Sequence, residues 1–265
     1  MAHALSDAQV NNRWADLGLR VISALILAPI ALACAWYGGL AWQLLLAVAA
    51  LGLGWEWARL ARTVQGPLPA APAIMMATLG LSVILAGAGM AAGAAVLLAG
   101  TAWWGARNRW FAAAGIPYAG IALVALFWLR AQPNGFLDTM FLVFVVWGTD
   151  VGAYVAGRIF GGARMAPKIS PGKTWSGAAG GLVVAAIVGA FLAARGRGFD
   201  LGAIPAALLL SLCGQAGDLL ESAIKRYVGV KDSGGTIPGH GGLFDRLDGF
   251  LLAAPMACIL AMLHI

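Results

Sequence analysis

The feature that most constrains this chain is a succession of long apolar runs with few charges inside them. We read nine, at roughly 18–37, 40–58, 70–87, 89–105, 112–129, 136–157, 175–194, 201–221 and 243–264. Each is about 17–22 residues, near the length that crosses ~30 Å of hydrocarbon as an α-helix. In lipid every backbone N–H and C=O must be satisfied within the segment, and a helix does that. The expected fold is all-α: a polytopic integral membrane helical bundle of about nine transmembrane helices. Composition agrees, since the 265 residues are 61% hydrophobic and only 11% charged, against about 25% charged in a soluble domain. The 37 glycines suit close helix approach in lipid.

Positive charge orients the bundle. With nine spans and the N-terminus inside, 14 of the 17 Lys and Arg residues fall on the cytoplasmic side; only Arg130, Arg195 and Arg197 fall outside. Fusing the third and fourth runs, which little more than Gly87-Ala88-Gly89 separates, would leave a split of seven to ten. The positive-inside bias therefore favours an N-in, C-out topology. The same placement explains the net charge of +6 without a nucleic-acid partner. The first run contains Ala31-Leu32-Ala33, which resembles a signal-cleavage site. Its length and the charge pattern downstream point to a retained anchor. Cys34, Cys213 and Cys258 lie inside apolar runs with no C-x-x-C pair, as packing residues do.

Against this background one stretch stands out. Between positions 218 and 248 lie nine of the 28 charged residues, together with His240. Ionisable groups near hydrocarbon are costly, so such a cluster is a functional-site hypothesis. Two cytoplasmic polar segments are expected, 158–174 and 222–242. Residues 1–130 form an N-terminal scaffold of membrane spans and 131–265 a catalytic region, within one integrated membrane domain. Glu56, between Trp55 and Trp57, is the one exception in the scaffold. It lies near a membrane boundary, where an interfacial role is expected.

On a helix, Asp218, Glu221, Ser222 and Lys225 share one face, and Asp245 and Asp248 are again three apart. Two helix ends can thus bring Asp218, Asp245 and Asp248 to one point. Hard carboxylate ligands suit Mg²⁺, which also binds substrate phosphates; Lys225, Arg226, Lys231 and Arg246 suit the phosphates themselves. Any single pair could instead be an ion pair at a membrane surface; the whole constellation favours the metal–phosphate alternative. The loop Gly234–Gly242 can turn backbone N–H groups toward an anion, or be a plain tight turn. His240 within it could cap or act as an acid or base. Gly172-Lys173-Thr174 is no P-loop, because Pro167 stands where that pattern needs glycine. The expected alternative is a loop of hydroxyls and lysine at the N-terminus of span seven, where free N–H groups seat a phosphate or a residue caps the helix. Asp150, Tyr154, Gly157 and Arg158 share a face of span six.

These residues resemble the phosphatidate cytidylyltransferase family, also called CDP-diacylglycerol synthases. Its signature, S-x-[aliphatic]-K-R-x4-K-D-x-[small]-x2-[apolar]-[PG]-x-H-G-G-[apolar]-x-D-R-[apolar]-D, runs unbroken from Ser222 to Asp248. The Ser170-Pro171-x-Lys173-Thr174 block and the Asp150…Arg158 run are also similar, so the motifs cover about 145–250; the first 130 residues match only in hydrophobicity. One departure is Ser176, where family members often have Glu. The resemblance implies the reaction of CTP with phosphatidate to give CDP-diacylglycerol and pyrophosphate, in a cytoplasm-facing site of a bacterial-type inner membrane. It implies Mg²⁺, with a second, monovalent cation such as K⁺, and a homodimer among membrane lipids. Within it Asp218, Asp245 and Asp248 are the expected metal ligands. Lys225, Arg226 and Lys173 would hold phosphates, Ser170 and Thr174 the nucleotide, and His240 with Gly241 the surrounding loop. Asp150 and Tyr154 would support the metal or the nucleotide.

Two alternatives differ in chemistry. A CTP-dependent polyprenol or lipid kinase would release CDP and need a base for a neutral hydroxyl; the full signature argues against it. A cation-coupled transporter would hold its acids near the bilayer midplane, not at one face beside lysines. The D-G-x2-A-R…G-x3-D-x3-D pattern of CDP-alcohol phosphotransferases is absent.

Overall fold

The computed structural model describes Ser23 and residues 25–194, 202–236 and 241–263. Among the described residues, nine α-helices fall on the nine apolar runs: α1 (Leu25–Tyr37), α2 (Gly39–Gln65), α3 (Ala71–Ala86), α4 (Met90–Gly105), α5 (Trp110–Ala131), α6 (Gly135–Phe160), α7 (Trp175–Ala194), α8 (Ala203–Val228) and α9 (Phe244–Met262). Five of them, α2 and α5 to α8, are long and apolar enough to cross a membrane by length and composition. Helices α1, α3 and α4 are apolar but shorter, and α9 opens on Asp245, Arg246 and Asp248.

Two local features depart from the expectation. The chain is not wholly helical: β1 (Arg164–Ala166) and β2 (Ser170–Thr174) pair antiparallel, with Arg164 opposite Thr174 and Ala166 opposite Ser170. The loop expected over 158–174 is thus a short hairpin. Its strands have no period-two apolar pattern, because one face meets no core; the ladder and the Ile169 N–H bond to Ala166 O (3.1 Å) hold it instead. Helix α8 also outruns its apolar segment by two turns. Glu221, Lys225 and Arg226 are good helix formers, so the polar run begins as helix. It stops at Gly229, whose φ of 80° only glycine adopts readily. There the N–H groups of Gly229 and Val230 return to Arg226 O and Lys225 O.

Small residues set the helix crossings. A Cβ added at Gly152 on α6 would lie 2.8 Å from Gly180 O on α7, and one at Gly177 would lie 2.8 Å from Ala153 O. At the α8–α9 crossing a Cβ on Gly217 would run into the backbone carbonyl of Asp248. Only backbones this close bring Asp218 and Asp248 side by side. An aromatic layer ties α2, α5 and α9 together beneath the polar end. Trp57 stacks on Phe111 at 4.9 Å and Tyr118 on Phe244 at 6.0 Å, and the Trp57 indole N–H donates to Phe111 O at 2.9 Å. Phe244 is almost fully buried, worth about 1.5–3 kcal/mol. By contrast, Val151, Val155 and Ile159 on α6 and Val183, Ile187 and Phe191 on α7 are exposed. Such apolar stripes suit hydrocarbon.

Candidate active site

A cavity of about 450 Å³ opens between α6, β2, α7 and α8. The helical spacing read for span six holds: Asp150, Tyr154, Gly157 and Arg158 all line it. Arg158 donates to the Tyr154 hydroxyl at 3.0 Å. From the hairpin come Gly172, Lys173 and Thr174, and from α8 Gln215 and Asp218. Lys173 Nζ lies 2.5 Å from Asp218 Oδ2, with both side chains partly open to solvent. Asp248 stands next to this group: the charges of Asp218, Asp150 and Lys173 all act on it. Its Oδ1 accepts only its neighbour's N–H, from Gly249 at 2.8 Å, among the described residues. Asp150 and Asp218 therefore line, and Asp248 adjoins, a cavity large enough for a phosphate-bearing ligand, with Lys173 paired to Asp218 among them.

Thr174 has a second task. Its Oγ1 accepts the Gly177 N–H at 3.0 Å, which caps α7. One of the helix N–H groups expected to face a phosphate is thereby already paired. Ser176 hydrogen-bonds Gly161 O and sits 3.0 Å from the Thr174 hydroxyl. It joins the end of α6 to the start of α7, a structural place that fits its not being an acid.

The expected convergence of Asp218, Asp245 and Asp248 is only partly met. Asp245 turns away from the other two and is saturated by protein donors. Its Oδ1 meets Lys225 Nζ at 2.5 Å. Its Oδ2 accepts from Gly242 N (2.8 Å), Ser233 N (3.1 Å) and Ser233 Oγ (3.0 Å). Lys225 also pairs with the buried Glu221 at 2.6 Å. The physical reason lies in the donors. Positions three apart lie only about 60° from each other around a helix, and within that angle the donors decide: Lys225, Ser233 and Gly242 claim Asp245, while Asp248 is left beside Asp218. Among the described residues no three Asp, Glu, His or Cys side chains form a metal-holding group. Asp218 and Asp248 with substrate phosphates would still suit Mg²⁺, which is commonly held by one or two carboxylates plus phosphates and water.

Other expected residues lie around the cavity rather than in it. Arg226 Nε donates to Ile169 O at 3.2 Å, linking α8 to the hairpin. Ser170 begins β2 opposite Ala166. Gly241 has φ 81° and lies beside the Asp245 carboxylate. His240 lies outside the described residues.

The sequence profile of the cytidylyltransferase family matches residues 18–264. Phosphatidate cytidylyltransferase of Brucella suis biovar 1 is 40% identical over 252 residues, covering 91% of this chain and 92% of that protein. The Pseudomonas aeruginosa protein of the same name is 38% identical over 264 residues, covering 89% and 94%. The Staphylococcus saprophyticus protein is 41% identical over 148 residues, 55% of this chain. The chain belongs to the cytidylyltransferase family. The family match extends well outside the 145–250 stretch that holds the recognised motifs.

In this family member the residue missed by sequence reasoning is Glu56. It is not interfacial: it is completely buried. It accepts hydrogen bonds from Ser233 Oγ (3.1 Å), Thr236 Oγ1, Leu243 N (2.7 Å) and Phe244 N (3.0 Å). The available signal was an acid placed inside an apolar run, 40–58, that carries no other charge. Trp55 and Trp57 masked it, because only Trp55 is exposed while Trp57 is core.

Proposed function

We propose that the chain is a phosphatidate cytidylyltransferase, converting CTP and phosphatidate to CDP-diacylglycerol and pyrophosphate. The observation that carries this is the 40% identity to an enzyme of that name over nine-tenths of both chains. The cavity is consistent with it, offering a lysine and carboxylates where a triphosphate needs cations and metal-binding oxygens.

A phosphatidate phosphate oxygen attacks the α-phosphorus of CTP. A new P–O–P bond forms, the bond from the α-phosphorus to the bridging oxygen breaks, and pyrophosphate leaves with that electron pair. The nucleophile is already anionic, so no strong base is required. The site's tasks are alignment and charge neutralisation. Lys173, freed from Asp218 by an incoming phosphate, would hold that phosphate. Asp218 and Asp248 would hold Mg²⁺, which when bound supplies charge neutralisation on the phosphates. Asp150 and Tyr154 would line the nucleotide's seat. Asp245 and Lys225 would fix the loop beside it. With 14 of 17 basic residues on one side under the nine-span topology, the site would face the cytoplasm, with CTP arriving from solvent and phosphatidate from the adjoining leaflet.

The test is product identity. Purified protein incubated with CTP, phosphatidate and Mg²⁺ should release pyrophosphate and form a CDP-lipid in equal amounts. Release of CDP with a polyprenol, and none of these products from phosphatidate, would replace this function with that of a kinase.

A further inference from the structure

Helix α9 begins without a cap of its own. Its N-cap residue is Leu243, whose side chain accepts nothing. A helix start leaves N–H groups unpaired and a partial positive charge at its end. Here both needs are met from another helix. Glu56 of α2 receives the N–H groups of Leu243 and Phe244, at 2.7 and 3.0 Å, with one oxygen each. The same carboxylate receives the hydroxyls of Ser233 and Thr236. One buried acid thus gathers both ends of the 233–243 segment and the first turn of α9.

The surroundings are built to that carboxylate. A Cβ on Gly234 would sit 2.9 Å from Glu56 Oε1, and one on Gly242 would sit 2.7 Å from Oε2. Only glycine lets the chain pass on both sides. Ser233 Oγ lies 3.1 Å from Glu56 and 3.0 Å from Asp245. A hydroxyl has one proton, so it donates to one acid at a time and couples the two. From Asp245 the contacts continue to Lys225 and Glu221 on α8. The helix so held bears Asp248 at the start of its second turn, and the neighbours of Asp248 are Asp218, Asp150 and Lys173. The rotation and depth of α9 decide where the Asp248 carboxylate stands at the cavity.

We propose that Glu56 is a positioning residue for nucleotidyl transfer: it caps α9 from α2 and so sets Asp248 against Asp218. This rests on the cytidylyltransferase function proposed above. Misplacing a reacting group by about 1 Å can cost about a hundredfold in rate, so the effect should appear in kcat before it appears in the fold.

The experiment uses the full chain in detergent micelles with three variants. Glu56→Gln keeps shape but turns an NH₂ donor toward N–H groups; Glu56→Asp keeps the charge one methylene short; Gly234→Ala crowds the Glu56 side chain without changing it, since the nearest atoms its Cβ would meet all belong to Glu56. Each is assayed for kcat and for the KM of CTP. Each is also assayed for the rate of tryptic cleavage after Lys231, which reports how firmly the segment is held and needs no activity. We expect kcat to fall about 10- to 100-fold in Glu56→Gln, the KM of CTP to move less than about threefold, and cleavage to quicken at least about fivefold. Glu56→Asp should regain part of the kcat, and Gly234→Ala should reproduce the loss. Wild-type kcat and cleavage in the variants would overturn the proposal. So would a loss of activity that only tracks the loss of folded protein, with the kcat of the folded fraction unchanged. If Glu56→Gln fails to fold, unchanged kcat in both Glu56→Asp and Gly234→Ala overturns it equally. If the wild type itself forms no CDP-lipid, the assigned reaction fails, while the cleavage rates still decide whether Glu56 holds the segment.

Discussion

Two sets of acids lie within a few turns of each other and are treated in opposite ways. In the loop set, Glu56 and Asp245 each have three protein donors of their own and share a fourth, the Ser233 hydroxyl. In the cavity set, Asp218 meets one lysine, Asp248 meets one backbone N–H, and Asp150 has no hydrogen bond among the described residues. A carboxylate taken fully out of water needs donors, and completely buried Glu56 has them; Asp150 is exposed and Asp218 and Asp248 are half-buried, so water can serve them. The protein satisfies the acids that shape the backbone and leaves with few protein donors those that line the cavity, Asp150 and Asp218, or adjoin it, Asp248. The difference separates architecture from chemistry better than motif membership does, since Asp245 and Asp248 belong to one motif and fall on opposite sides.

Substitutions can break this contrast. The largest effect should come from Asp218→Asn and Asp248→Asn. Each is expected to lower turnover at least about a hundredfold, the scale of a lost transition-state charge contact, with thermal unfolding of the purified protein almost unmoved. Near-wild-type pyrophosphate release by both would remove the cavity set from the chemistry. Asp245→Asn should behave in the reverse way. Asparagine retains one acceptor oxygen but cannot serve Lys225 and three further donors, so about 2 kcal/mol of stability should go, the range of a charge-assisted hydrogen bond. Unfolding in mixed micelles measures it. Unchanged stability with abolished activity would move Asp245 into the cavity set and erase the distinction.

Lys173 sharpens the comparison from the basic side. Its only ion pair among the described residues is the half-open one with Asp218, whereas Lys225 is pinned between Glu221 and Asp245. Lys173→Met should raise the KM of CTP about tenfold, equivalent to ~1.4 kcal/mol, and leave stability within error. An effect on stability instead would make the Lys173–Asp218 pair structural.

Much of this was legible in the sequence, for a physical reason. Apolar runs must become helices in lipid, so nine runs mapped onto nine helices among the described residues. Periodicity placed Asp150, Tyr154, Gly157 and Arg158 on one face, and they line one cavity. What escaped was whatever depends on partners distant in sequence. Asp245 and Asp248 look equivalent until Lys225 and Ser233 claim the first. Glu56 lies 177 residues from Ser233, and no local pattern announces that pairing. The hairpin at 164–174 was hidden because strands without a buried face carry no alternation.

Thr174 lies on the border between the two sets and gives the smallest predicted effect. The resemblance assigns it to the nucleotide, and it does line the cavity. Yet its hydroxyl accepts the Gly177 N–H and it is nearly buried, which is what a helix cap does. If capping is its whole task, Thr174→Ala should cost about 1 kcal/mol of stability and Thr174→Ser almost nothing, since serine caps equally well. The KM of CTP would then stay within about twofold in both. If the hydroxyl also meets the nucleotide, Thr174→Ala should raise that KM by about tenfold, a lost hydrogen bond to a charged group, while Thr174→Ser stays near wild type. Unfolding and KM measured on the same two variants separate these cases, because loss of the cap moves only the first and loss of a ligand contact moves the second.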